Sequence, residues 1–309
     1  MSLTINTNMM AINAARNLGQ SYNNLATSVQ RLSSGLRVNG AADDAAGLAI
    51  RELMRAEIAG LRQGVRNAND AISVLQTADG ALGVIDEKLI RMKELAQQAA
   101  TGTYNSDQRL MIESEYQAMA SEITRIANAT QFNGIHLLNG NLSARENHNG
   151  TDARYTPFGH NGEGLTSTGP MKIHFGTGND SAEDYYYISI GNSTASALGV
   201  GNQAHTDQAA FTVSTQAAAQ RAVVGITDAI VQKDKIRAAL GAMQNRLENT
   251  ISVLQIQAEN IQAAESRISD VDVSLEMTSF VRNQILTQAA VAMLSQANSL
   301  PQMALSLIG

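Results

Sequence analysis

Apolar and small residues return at alternating spacings of four and three from Leu247 through Ile251, Leu254, Ala258 and Ile261; Glu265 interrupts the seam before Ile268 resumes it. A stripe of that period runs down one face of an α-helix and cannot bury itself alone. The head of the chain carries a matching stripe at Leu18, Tyr22, Leu25, Val29, Leu32 and Leu36. Two sticky helices so far apart in sequence read as partners, and the chain between them reads as a long excursion back to its start.

The same period predicts the other helices. A first segment runs from Met1 to about Ala42, with Ile5, Met9, Ile12, Ala15 and Leu18 ahead of the regular stripe and a stutter in its three-residue steps. Ser34-Gly35 and Val38 to Asp44 interrupt it, and Asp43 and Asp44 stand where a new helix is capped. A metal is the other chemistry a carboxylate pair suggests, but no further ligand lies near in sequence. The second helix spans about Asp44 to Ala99 on Met54, Ile58, Leu61, Val65, Ala68, Ile72, Leu75, Leu82 and Leu89, with Asp79 and Asp86 as polar breaks. At about 1.5 Å per residue it is a rod of roughly 80 Å. Gly60, Gly64, Gly80 and Gly83 each cost helix stability, so they mark close helix approach or a local interruption. A third helix starts near Ser106 on Ile112, Tyr116, Met119, Ile123 and Ile126 and gives way near Asn128; Asn133-Gly134 then makes a tight turn before a strand at Ile135 to Leu138.

Between about Asn139 and His205 the pattern dissolves. Eleven of the 24 glycines, two of the three prolines and four of the five histidines fall there. Met171 to Phe175 and Tyr185 to Ile190 read as a hairpin, and so little apolar sequence supports only a small outer module. Helical composition resumes at Ala209 to Gln220, and a long helix runs from about Thr227 into the closing stripe. Asp270 to Val273 is a junction; Ser279 to Ala304 is a last helix, in which Pro301 either makes a kink or opens a last turn.

Composition narrows the function. Of 309 residues, 44% are hydrophobic but only 4% aromatic, which suits long helices closely packed at small side chains. A net charge of -6 without a Lys/Arg cluster speaks against a nucleic-acid surface, and no apolar run is long enough for a membrane span. Absent cysteines rule out disulfides and thiolate metal sites. The N-terminus lacks a basic leader with an apolar core, so an ordinary signal peptide is not expected. No catalytic constellation emerges: His136, His148, His160, His174 and His205 lack zinc spacing, Gly176-x-Gly178 is turn chemistry, and no nucleophile elbow occurs. Neither an enzyme nor a cofactor is indicated. Sequons stand at Asn128, Asn149 and Asn192.

The chain resembles bacterial flagellin. The resemblance lies in Gln30-Arg31-Leu32-Ser33-Ser34-Gly35-Leu36-Arg37, in Ala41-Ala42-Asp43-Asp44-Ala45-Ala46-Gly47-Leu48-Ala49-Ile50 and in Thr130-Gln131-Phe132-Asn133-Gly134. The tail adds Glu265-Ser266-Arg267-Ile268-Ser269-Asp270-Val271-Asp272 and Gln296-Ala297-Asn298-Ser299-Leu300-Pro301-Gln302.

The resemblance implies a mainly α fold: a long-helix coiled-coil rod with paired N- and C-terminal helices, a β-hairpin and a small β-containing variable outer module. Residues 1–42 and 270–309 are then two halves of an inner coiled-coil domain, 43–138 and 206–269 two parts of a helical rod, and 139–205 a variable surface-exposed module. The implied function is a subunit of the flagellar filament for swimming motility, secreted to the extracellular flagellum; a hook-filament junction protein is the alternative. The expected inner-layer packing residues are Ile5, Met9, Ile12, Leu18, Leu25 and Leu32 with Phe280, Ile285, Leu286, Leu294 and Leu305. Implied partners are further copies of the chain, the flagellar type III export apparatus, a chaperone of the C-terminal end, and the hook-associated junction and cap proteins. A Toll-like innate receptor is a further implied partner, at Arg91, Leu95 and Glu115, with no nucleic acid and no membrane insertion. The family's tail often finishes in Arg, whereas this chain finishes in Gly309.

Overall fold

The computed structural model describes residues 8–142, 170–180, 183–202 and 208–308, without the side chains of 300–302 and 304–308. Six helices and four short strands make up the described chain: α1 Met9–Ser34, α2 Ala45–Ala100, α3 Ser106–Ala129, β1 Gln131–Phe132, β2 Ile135–His136, β3 Met171–His174, β4 Tyr185–Ile188, α4 Ala195–Leu198, α5 Gln216–Ser269 and α6 Val273–Ile308. They form two compact units, one from Met1–Ala59 with Ala258–Gly309, the other from Gly60–Gln257.

In the first unit each helix boundary has a local cause. The side chain of Asn8 accepts the Ala11 N–H and opens α1; Gly35, at φ 71°, closes it with its N–H on the Arg31 carbonyl. Only glycine takes that left-handed cap cheaply. Asp44 caps α2 by accepting the Gly47 N–H at 2.9 Å. Asp43 does a different job from the expected cap: its Oδ2 accepts the Asn39 and Gly40 N–H groups, each at 3.1 Å, and so ties the loop ahead of the helix. Asp272 Oδ1 accepts from Ser274 at 2.9 Å and Leu275 at 3.1 Å, starting α6 six residues before the expected Ser279. The α6 backbone stays helical across Pro301.

The second unit is built on one core shared by α2, α3, α5 and the connecting segments. Leu75, Leu82, Ile85, Leu89 and Met92 of α2, Tyr116 and Ile123 of α3, and Ile226, Leu240 and Leu247 of α5 belong to it. So do Leu142, Ile188, Ile190, Leu198 and Val200, so the described parts of the glycine-rich middle share this core. Helix α3 opens with a capping box in which Asn105 and Gln108 satisfy each other's backbone N–H groups. Asn133 and Gly134, at φ 49° and 80°, make the two-residue turn between β1 and β2. Strands β3 and β4 pair in register from Met171 opposite Ile188 to His174 opposite Tyr185. Tyr186 packs inward against Phe175 with the Arg246 guanidinium 3.6 Å over its ring, while Tyr185 lies under the Lys172 ammonium at 3.5 Å. The buried Tyr116 hydroxyl donates to the Ala210 carbonyl at 2.6 Å, and burial pushes its phenol far above the ordinary value. Helix α5 begins at Gln216, eleven residues before the expected Thr227, because Ala218, Ala219 and Ala222 bury a small-residue face that shows no large apolar stripe.

Gly60, Gly64, Gly80 and Gly83 of α2 divide into two kinds. A Cβ at Gly64 would lie 1.9 Å from the Phe175 carbonyl oxygen, and one at Gly60 would lie 2.9 Å from Thr177 Cγ2. The close approach is therefore to the end of β3, not to another helix. Gly80 and Gly83 have nothing within 4 Å of an added Cβ, and the helix runs through them without interruption. Gly64→Ala is expected to destabilise the subunit by about 1–3 kcal/mol through overpacking. Gly80→Ala is expected to stabilise it by up to about 1 kcal/mol through helix propensity. Urea unfolding midpoints of the two variants, moving in opposite directions from wild type, check both.

Candidate assembly interface

In the first unit, the helix that packs along α1 is α6, not the Leu247–Ile268 stripe of α5 that the sequence suggests. The covered positions of this pair alternate small residues with Leu18, Leu25 and Leu32 of α1 and Phe280 and Leu294 of α6. Ser28, Thr287 and Ala297 are buried, and Asn8 Nδ2 donates to the Ala297 carbonyl at 2.7 Å. One face of each helix is covered in this way, and the large apolar side chains on the other faces find no partner within the pair.

The end of α5 meets the loop after α1 through the backbone. Leu36 and Asp270 form an antiparallel bridge; Arg37 N–H donates to the Ser269 carbonyl at 2.7 Å, and Val271 N–H to the Gly35 carbonyl at 3.0 Å. Arg37 Nη2 reaches the Ile268 carbonyl at 2.7 Å. Asp270 is held in turn by Ser266 Oγ at 2.5 Å and Ser269 Oγ at 3.0 Å. The head motif around Ser34-Gly35 and the tail motif around Ser269-Asp270 are thus two sides of one joint. Arg31 extends it, with Asp43 at 3.9 Å and Glu276 at 3.8 Å. Buried Arg51 donates to the Val38 carbonyl at 2.8 Å, and Arg55 pairs with Glu265 at 3.0 Å. Exposed pairs such as Arg55–Glu265 contribute little individually; the backbone bonds fix the geometry.

The side chains picked from sequence fall as follows. Leu18, Leu25, Leu32, Phe280 and Leu294 are half-buried, whereas Met9, Ile12, Ile285 and Leu286 are exposed, Ile285 by 60%. Ile5 and the Leu305 side chain lie outside the described residues. Tyr22 and Val29, members of the head stripe, are exposed as well, and so are Met10, Leu275, Val281, Val291 and Met293, which sequence reading does not single out. Beside the α1–α6 seam lies a groove of about 670 Å³, with Asn13, Asn17 and Asn24 on one wall and Leu286, Met293 and Ala290 on the other. Apolar exposure on this scale marks a surface that another chain covers.

In the second unit, Arg91 pairs with Glu115 at 2.8 Å and with Glu94 at 3.0 Å on the surface, while Leu95 beside them is buried in the core. The polar breaks in the α2 stripe face α5. Lys233, 1% exposed, lies 2.5 Å from Asp86 and 2.7 Å from Asp234, and Arg237 grips Asp79 with two bonds of 2.7 and 3.1 Å. Its hydrogen bonds to Arg237 hold the Asp79 carboxyl below its ordinary value, against the opposing effect of partial burial.

Among the described residues no three His, Cys, Asp or Glu side chains converge as a metal site, and no helix is long and apolar enough to cross a membrane. The paired terminal helices and their uncovered apolar faces define a subunit of a larger assembly. Bacterial flagellin N-terminal helical region matches residues 5–143, and bacterial flagellin C-terminal helical region matches residues 223–308. The chain is 40% identical over 306 residues to the flagellar filament 33 kDa core protein of Treponema phagedenis, covering 99% of this chain and 100% of that one. It is equally 40% identical, over 312 residues, to a flagellin of Bacillus subtilis, with 99% and 100% covered. A putative flagellar hook-associated protein from Vibrio parahaemolyticus is similar in structure, with TM-score 0.53 over 74% of this chain and all of that one; at 13% identity the likeness is one of fold.

The chain belongs to the bacterial flagellin family. It is a structural subunit of the flagellar filament, secreted and extracellular, and not an enzyme. Membership brings polymerisation and passage through a secretion system with it.

The Arg237–Asp79 pair gives a pH dependence. A carboxyl depressed in the folded state contributes stability that is present above its unfolded value and is lost as pH falls through the folded value. Asp79→Asn should therefore be less stable than wild type at pH 7, with the gap closing below about pH 4. Urea midpoints of the two proteins at both pH values check the sign.

Proposed function

We propose that filament growth covers the faces that α1 and α6 leave open, burying Met9, Ile12, Ile285 and Leu286 against neighbouring copies, with half-buried Leu18, Leu25, Leu32, Phe280 and Leu294 completing the layer. Ile5 and Leu305 join them by sequence position. The exposure of large apolar side chains on both partners, beyond the one face each turns to the other, carries the reading. Each such side chain, fully buried, contributes about 1.5–3 kcal/mol, and a contact repeated head to tail without closing produces an open helical polymer.

In this reading residues 1–42 and 270–309 make the inner coiled-coil layer of the filament, 43–138 and 206–269 its rod layer, and 139–205 the exposed variable part. The composition of the first compact unit from both chain ends supports the pairing. Export proceeds through the flagellar type III apparatus with a chaperone on the C-terminal end. Such protection suits α6, whose apolar side chains remain open until assembly. Junction and cap proteins of the hook meet the same terminal faces. Recognition by a Toll-like innate receptor rests on exposed Arg91 and Glu115, with Leu95 packing beneath them.

Purified subunits added to filament seeds should give long filaments in electron micrographs; short caps or rings instead would point to a junction role. Met9→Asp and Ile285→Asp, at exposed positions, should change monomer stability by less than about 0.5 kcal/mol yet abolish seeded elongation. Normal filaments from both variants would refute the proposed inner layer.

A further inference from the structure

On α5, Ile226, Lys233, Leu240, Leu247 and Leu254 stand seven residues apart, and all five are buried. Four are large aliphatics. The fifth is a lysine, 1% exposed, with Asp86 of α2 at 2.5 Å and its own neighbour Asp234 at 2.7 Å. One turn further along α5, Arg237 takes Asp79, one heptad earlier on α2. The falling α2 number against the rising α5 number makes the two helices antiparallel here.

Only Lys233 of these groups is buried, while Asp86 keeps 29% and Asp79 45% of its side chain exposed, so the pairs are a weak source of stability: solvent screens the carboxylates, and desolvation of the lysine offsets the attraction. The best-attested use of such a pair is to choose among alignments that an aliphatic seam tolerates equally. The surroundings offer such alternatives: α2 repeats Leu61, Ala68, Leu75, Leu82, Leu89 and Ala96 at seven-residue steps, all buried. Sliding α5 by one heptad one way sets Lys233 opposite Asp79, but leaves Arg237 opposite Ile72 and Asp86 opposite Ile226. Sliding it the other way sets Lys233 opposite Lys93. Of these three alignments, the observed one alone gives both cations a carboxylate and buries no like-charged pair.

We propose that Lys233 and Arg237, with Asp86 and Asp79, are positioning residues that fix the register of α2 against α5, so that every subunit presents the same lateral surface to the filament. The last clause rests on the filament reading; the register itself does not. A helix misaligned by one heptad is displaced by about 10 Å along its axis. That displacement is incompatible with a repeating contact.

The chain has no cysteine, so a Thr77→Cys/Ala239→Cys pair at exposed positions takes two spin labels cleanly. Inter-label distances are read by pulsed electron resonance on the soluble monomer, full length, in the wild-type background and in Lys233→Met/Arg237→Met. Wild type should give one distance. The double variant, which leaves Asp79 and Asp86 without their partners, should melt somewhat lower than wild type and show a second component, with the labels about 10 Å out of axial alignment. Seeded elongation should fall in proportion to that component. If the double variant does not fold, Lys233→Met alone is read in the same way. A single native distance in the folded variant, at any melting temperature, overturns the proposal, because the charges would then stabilise the pair without selecting its alignment. A second component with undiminished elongation would retain the register role and reject its consequence for the filament.

Discussion

Two helices side by side can shield only the faces they turn to one another. In α1 and α6 those faces carry Leu18, Leu25, Ser28 and Leu32 against Phe280, Thr287, Leu294 and Ala297, and further bulky apolar side chains stand on the flanks and outer surfaces. Met9, Ile12, Tyr22, Leu275, Ile285 and Met293 are left in contact with water. Excess apolar surface on both members of a terminal pair is the constraint from which the rest follows. It makes the isolated subunit incomplete and directs its association toward other copies. In a subunit of a filament such a contact is heterologous and propagates instead of closing.

The joint that holds this pair uses a different kind of interaction. Gly35, Leu36 and Arg37 exchange backbone hydrogen bonds with Ser269, Asp270 and Val271, and Gly35 at φ 71° gives the chain the turn that brings them there. Backbone bonds are directional and hold their geometry when apolar neighbours change. The joint therefore keeps its geometry independently of the apolar surface beside it.

In the second unit the proportions reverse. A large shared core satisfies α2, α3, α5 and both hairpins within the chain, and charged groups at its edge are paired internally: Lys233 with Asp86, Arg237 with Asp79, Arg91 with Glu115. Aliphatic repeats give this core its strength but little discrimination between neighbouring alignments, since leucines seven residues apart are interchangeable. Directional contacts supply what the repeats lack.

Much of this was legible along the chain. The boundaries of α2 and α3 and the Asn133-Gly134 turn follow from local causes: a strong period, a cap, a positive φ. The starts of α5 and α6 were less so, because an alanine face has no large stripe and Asp270 to Val273 alternates like a strand. Lys233 had a signal, one cation in a seven-residue series of aliphatics, which becomes meaningful only when Asp86 is opposite it. The sequence by itself determined that long amphipathic helices form, where they are capped, and that their stripes need partners. The tertiary structure decided which partner each stripe obtained: α6 for α1, α5 carboxylate by carboxylate for α2, and solvent for the apolar flanks of the terminal pair. Periodicity is a property of one helix, whereas partner choice is a property of two surfaces and of how closely their smallest residues let them approach.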